Sequence, residues 1–340
     1  MTSPSSADIR AIMQPSVPIG VLLLQLGSPD DPSVAAVRRY LRQFLSDRRV
    51  IELPRWQWYP VLYGLVLVRR PAQSAAKYQR IWDQDKGFPL KYYTQQQAEN
   101  LQEKLGERFR VTYAMRYGSP ATAPVVRELV SAGVDRLLVV PLYPQYSATT
   151  TASALDALYQ ALMHERVVPA VRVVPPFYAH PRYIDAVTQI LRETLAQLGA
   201  APERWIFSFH GIPQRYADAG DPYPRHVETT VRLLAERLGL ASEQYLLTYQ
   251  SRFGREVWLK PYTEEVLVSL ARQGVRSVLV ATPGFVADCL ETIDEIGREA
   301  RDLFREAGGG ELYRCPCLND HPLWMEALAT IVLEQAAGWL

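Results

Sequence analysis

Cysteine is scarce in this chain. The three present, Cys289, Cys315 and Cys317, cannot build a disulfide framework, and Cys-Pro-Cys alone falls short of a four-ligand zinc or iron–sulfur set. A reducing cytoplasm is therefore the expected location. Charge of one sign is missing too: 37 Lys+Arg stand against 36 Asp+Glu, a net +1, so no global field draws the chain to nucleic acid or to an anionic membrane. The N-terminal MTSPSSADIRAIMQPS lacks the charged start and apolar core of a secretory signal. No Gly-x-Gly-x-x-Gly, no Walker-type phosphate loop and no Gly-x-Ser-x-Gly elbow occurs, which argues against a nucleotide-dependent enzyme or a serine hydrolase. Long apolar runs are absent as well. The most apolar stretch, WQWYPVLYGLVLVRRP (Trp56–Pro71), holds about a dozen apolar residues where a membrane span needs about 20. It reads either as a buried helix or as an exposed lip that meets a membrane surface or an apolar ligand.

What is present is ordinary globular chain, 48% hydrophobic and 21% charged, and 340 residues suit two domains at roughly 150 residues each. Short, continuously apolar runs recur at Val21–Gly27, Arg136–Pro144, Ala170–Phe177, WIFSFHG and Ser277–Phe285. Runs without polar alternation suit strands covered on both faces. Segments of helical period lie between them, at Thr122–Ser131, Pro181–Leu198, Tyr223–Leu238, Pro261–Gln273 and Ala287–Ala307. Strands alternating with helices predict an α/β fold with parallel sheets. LLLQLGSP and FSFHGIP both end a strand in a Gly-x-Pro turn, and VVPLYPQYS and VATPGFVAD both break a strand with proline. These loose likenesses point to two similar halves, placed at 17–165 and 166–320, with a C-terminal helix in 321–340 crossing back to the first.

Ligands of open parallel sheets sit beyond the carboxyl ends of the strands. His210 occupies such an end, in RWIFSFHGIP, and is a capped core residue, a metal ligand or a proton acceptor. The strand Ser277–Phe285 leads into a second feature: Asp288, Glu291, Glu295, Glu299 and Asp302, spaced to share one face of an α-helix. That stripe is either a solvated face, with Asp288 as N-cap, or the wall of a site. A neutral imidazole facing carboxylates is a weak Fe²⁺ site and equally a proton-accepting pair.

FSFHGIP, DAGDPYP (Asp218–Pro224), LTYQSRFGREVWLKPYT (Leu247–Thr263) and PGFVADCLETIDEI, in that order, resemble ferrochelatases. So do VLLLQLGSPD, YQRIW, MRYGSPAT and PLYPQYSATTTAS in the first half, and the likeness runs from about Gly20 to the end. The resemblance implies two Rossmann-like domains with parallel sheets and a porphyrin cleft between them. The implied reaction is insertion of Fe²⁺ into protoporphyrin IX with release of two protons, the last step of haem synthesis. His210 and Glu291 would be the metal pair, and Asp288 and Glu295 would continue an acidic line for metal delivery or proton exit. Tyr117, Tyr223, Trp258 and Phe285 would line the cleft, with Arg116 near the macrocycle and Arg80 a candidate for propionate contact. Leu26 stands where relatives acting on coproporphyrin tend to have tyrosine, which favours protoporphyrin. Trp56–Val68 falls at the family's apolar lip, so peripheral membrane contact and a partner enzyme of haem synthesis join porphyrin and ferrous iron as expected partners; nucleic acid does not. Some relatives carry a [2Fe–2S] cluster on four cysteines, and this chain lacks them: Ala148 follows Ser147, and none lies after Cys317. No cluster and no permanently bound cofactor are expected. Cys289 stands where some relatives have histidine, so the chemistry does not require that residue. The rival readings are a chelatase for coproporphyrin III or cobalt, and a porphyrin carrier, which would have no use for His210 beside five carboxylates.

Overall fold

A computed structural model describes residues 17–254 and 256–340. The N-terminal stretch weighed above as a signal lies outside the described residues.

Among the described residues eight strands form two four-stranded sheets, and every pairing between these strands is parallel. The first has the order β2-β1-β3-β4, from β1 (Ile19–Gln25), β2 (Phe109–Met115), β3 (Arg136–Pro141) and β4 (Ala170–Val173). The second repeats it as β6-β5-β7-β8, from β5 (Arg204–His210), β6 (Tyr245–Gln250), β7 (Ser277–Ala281) and β8 (Glu311–Arg314). The same strand order in both sheets is the architecture expected of two similar halves. The division expected at 165/166 needs correction, however: β4 pairs with β3, so Ala170–Val173 belongs to the first sheet.

Side chains alternate across a strand, and the core follows that alternation. From β1, Ile19, Val21 and Leu23 enter one cluster while Leu22 and Leu24 enter another on the opposite face. From β5, Trp205, Phe207 and Phe209 join the first of these clusters, and Ile206 turns to a third. One core therefore lies between the sheets and takes residues from both. The helix Pro322–Gln335 supplies Trp324, Leu328 and Val332 to it, all fully buried. That helix touches the helix Pro89–Leu105 of the first half and the helix Pro181–Ala196 of the second.

The segment between β7 and β8 departs from the expected α-helix. Glu291–Ala300 is a π-helix, followed by one α-helical turn and a half at Arg301–Glu306. Ten residues in this form are unusual, and π segments cluster at functional sites.

Candidate active site

β5 delivers His210 to the rim of a cavity of about 750 Å³. The chain turns at once, because Gly211 allows Trp258 to approach: a Cβ there would stand 3.1 Å from the indole and 3.2 Å from the carbonyl of Gln250. The ring of Trp258 sits 6.3 Å from that of His210. His210 Nδ1 lies 2.7 Å from the carbonyl of Gly211. A carbonyl can only accept, so Nδ1 carries the hydrogen, and in the neutral ring Nε2 is then the nitrogen with a lone pair for a metal or a proton. Tyr223 Oη donates to the His210 carbonyl at 2.9 Å and ties the strand end to the helix Tyr223–Leu238.

The π-helix supplies the facing wall. Gln250, paired with His210 in the β5–β6 register, donates to the backbone carbonyl of Glu291 at 3.1 Å, and Ser208 orients Gln250 by donating to its Oε1 at 2.8 Å. Glu295 accepts from the backbone N–H and the hydroxyl of Ser251 at 2.7 and 2.6 Å. Ser251 adopts φ +65° to make both bonds, a conformation that non-glycine residues reach at a cost of about 1 kcal/mol or more. Burial raises the Glu295 carboxyl, the Ser251 hydrogen bond opposes this, and the neighbouring Glu291 adds to the rise while His210 lowers it. The two glutamates and the histidine thus lie within electrostatic reach of one another. Glu291, Asp294, Glu295 and Glu299 all line the cavity.

Aromatic side chains make up much of the remaining wall. Tyr40, Phe44, Tyr78, Phe88 and Tyr143 come from the first half; Tyr223, Tyr249, Phe253, Trp258 and Phe285 come from the second. Gly27, at φ +101°, brings the end of β1 against the Tyr117 backbone, where any Cβ would collide with its carbonyl oxygen; Leu26 is thereby set at the cavity edge.

The ferrochelatase family profile matches residues 18–336. Ferrochelatases of Mesorhizobium japonicum and Brucella ovis are 50% and 49% identical over 325 residues, covering 95% of this chain and 92% of each of those proteins. The chain belongs to the ferrochelatase family. Among solved structures, SirB from Bacillus subtilis with Fe³⁺ has a TM-score of 0.56 at 14% identity, covering 95% of this chain and 97% of that one. The sirohydrochlorin chelatase SirB from Bacillus subtilis subspecies spizizenii in complex with cobalt scores 0.52 at 13% identity, with 94% and 96% covered. At such identities these two speak for the fold alone.

Of the residues that the ferrochelatase likeness nominates, His210, Glu291, Glu295, Leu26, Tyr223, Trp258 and Phe285 come together around the cavity. Four do not line it. Asp288 is 4% exposed and bound by Arg314, Thr292 and Asn319 at 2.7, 2.7 and 2.8 Å; it fastens the π-helix to β8 and the chain after it. Arg80 reaches Asp294 at 3.2 Å, and Arg298 holds the same carboxylate, so the guanidinium is engaged by protein. Arg116 and Tyr117 lie behind the wall, both donating to Asp47 together with Ser153. Burial disfavours the Asp47 anion, yet these hydrogen bonds, the Arg49 backbone N–H and the Arg116 charge hold its carboxyl below the usual range. Tyr117 backs Tyr40 and Phe44 edge-on, at 6.3 and 5.3 Å between ring centres.

Sequence reasoning missed Tyr40, Tyr78, Tyr143, Gln250 and Ser251 as elements of the site. Tyr40 and Phe44 share the apolar face of the helix Val34–Leu45, the same signal a core helix gives. The carboxylate stripe also needs revision. In a π-helix residues four and five apart adjoin, so Glu291, Glu295 and Glu299 keep one wall, while Asp302 falls on the α-helical turn and pairs with Arg301.

Proposed function

We propose that the chain inserts ferrous iron into protoporphyrin IX, with His210 and Glu291 as the metal-site pair and Glu295 continuing the acidic line. The observation that carries this reading is that His210, Glu291 and Glu295 line one cavity together with many aromatic side chains. Insertion exchanges two porphyrin N–H protons for one Fe²⁺, so the site has to accept protons and surrender a metal. Imidazole titrates near neutral pH and suits the first task. A pair of protein ligands, fewer than the four of a closed site, suits the second. Stacking Trp258 and Tyr side chains against a porphyrin would hold it bent, with its nitrogen lone pairs exposed. Leu26 gives that wall an apolar edge, in keeping with the less carboxylated porphyrin. With Arg80 engaged, Arg70 replaces it as the candidate for propionate contact: it lines the cavity and stacks on Phe253 at 5.4 Å, with no carboxylate partner among the described residues.

The lip supports porphyrin entry and peripheral membrane contact from the cytoplasmic side. Trp56, Val61, Tyr63, Leu65 and Val68 are exposed, with Trp56 at 76%, and no helix among the described residues is long and apolar enough to cross a membrane. No [2Fe–2S] cluster is proposed, since the chain holds three cysteines and such a cluster needs about four ligands. The test is His210→Ala assayed anaerobically with Fe²⁺ and protoporphyrin. Turnover should vanish while porphyrin still binds; near-normal turnover in the folded variant refutes the assignment.

A further inference from the structure

The cavity carboxylates meet a cation at their outer end. Glu299 lies farthest along the π-helix from the His210 end. Lys77 places its Nζ 2.7 and 2.9 Å from the two Glu299 oxygens, and Arg298 of the π-helix donates to one of them at 3.0 Å, so Lys77 is the only one of its two cations that comes from the other half among the described residues. Lys77 belongs to the helix Leu67–Ile81 of the first half, whose preceding residues form the exposed lip, and it lines the cavity itself. One turn on, Arg80 binds Asp294 of the π-helix. The two contacts bridge the lip helix and the carboxylate helix, and they differ in kind. Asp294 is 2% exposed and shared by Arg80 and Arg298. Lys77 and Glu299 are 43% and 35% exposed, so water screens them and the pair is weak.

We propose that Lys77 is a removable cap on the metal route: it occupies Glu299 while the cavity is empty of metal and yields that carboxylate to an arriving divalent cation. This rests on the reading of Glu291, Glu295 and Glu299 as the route. A dication repels the ammonium and competes for the same oxygens, and Lys77, a point charge on a flexible stem, can swing away at little cost. The exchange is one cation for another: Lys77 stays protonated and no electron moves. Arg80 on Asp294 meanwhile keeps the two helices in register.

The experiment is anaerobic steady-state kinetics with Fe²⁺, and separately Zn²⁺, on the full chain. Lys77→Met should lower the Michaelis constant for metal by about threefold to fivefold, the free energy of a screened ion pair, and leave that for porphyrin unchanged. Lys77→Gln should behave alike, and Lys77→Arg, which keeps the charge, should resemble the parent. High salt should erase the difference, because it screens the pair. Glu299→Gln should raise the metal constant, and Lys77→Met should add nothing in that background. An unchanged or raised metal constant in folded Lys77→Met and Lys77→Gln overturns the cap. Glu299→Gln then tells the two failures apart: a raised constant leaves the carboxylate route standing without its cap, and an unchanged one removes the route as well.

Discussion

Asp288 and Glu291 stand three residues apart on one segment, and their surroundings give them opposite tasks. Asp288 is buried and saturated by Arg314, Thr292 and Asn319, so its charge is spent on structure. Glu291 faces the cavity that also holds His210. Neutralising them should separate the two. Asp288→Asn leaves Arg314 beside an uncharged partner and should cost about 3 kcal/mol of stability, the range for breaking a buried pair, read as a fall in Tm, with metal still inserted by the molecules that remain folded. Glu291→Gln keeps the shape, loses charge and basicity, and should abolish turnover with Tm unchanged or slightly raised. Thermal melts beside turnover assays decide it; equal activity losses in both variants would show that Asp288 serves the chemistry after all. From sequence the two acids are alike, because spacing places a residue on a face and says nothing of what the third dimension brings against it.

At the scale of the element, the lip illustrates how a uniform-looking stretch divides. Leu62 and Leu67 are buried in a small cluster with Leu45, and Trp58 donates its indole N–H to the Leu45 carbonyl at 2.6 Å. Trp56, Val61, Tyr63, Leu65 and Val68 point outward. Replacing the exposed group by Ser should raise the Michaelis constant for porphyrin and weaken binding to anionic liposomes, at no cost in Tm. Leu62→Ala should instead lose about 2–5 kcal/mol through the cavity it leaves. If the exposed set melts the protein and Leu62→Ala does not, the assignment of faces is wrong. The strands tell a related story. β2, β6 and β8 carry no long apolar run and escaped the reading by apolar runs; each sits at a sheet edge, where one flank is open to solvent and half-exposed residues are tolerated. The central strands β1, β3, β5 and β7 are almost wholly buried, and they were legible.

For the whole molecule, one core joins the two sheets, and the helix Pro322–Gln335 closes it. Two similar halves by topology should therefore melt as one. Calorimetry should give a single transition, and Trp324→Ala, at a fully buried position, should lower it by about 3–5 kcal/mol without splitting it. Two resolved transitions would show that the halves are independent.

The α/β class, the parallel sheets, the duplication and the placing of His210 at a strand end were all legible in the chain, because burial of central strands and the turn chemistry of Gly-x-Pro are local properties of sequence. The motif set named the family for the same reason. Tertiary structure alone decided which nominated residues meet. Asp288, Arg80, Arg116 and Tyr117 lie within the right motifs, yet Arg314, Asp294 and Asp47 bind them away from the cavity, and those partners stand 26, 214, 69 and 70 residues distant in the chain. The π-helix, which keeps Glu291, Glu295 and Glu299 on one wall and turns Asp302 aside, is fastened to β6, to β8 and, through Arg80 and Asp294, to the lip helix. Contacts between distant segments set those outcomes, and no local pattern encodes them.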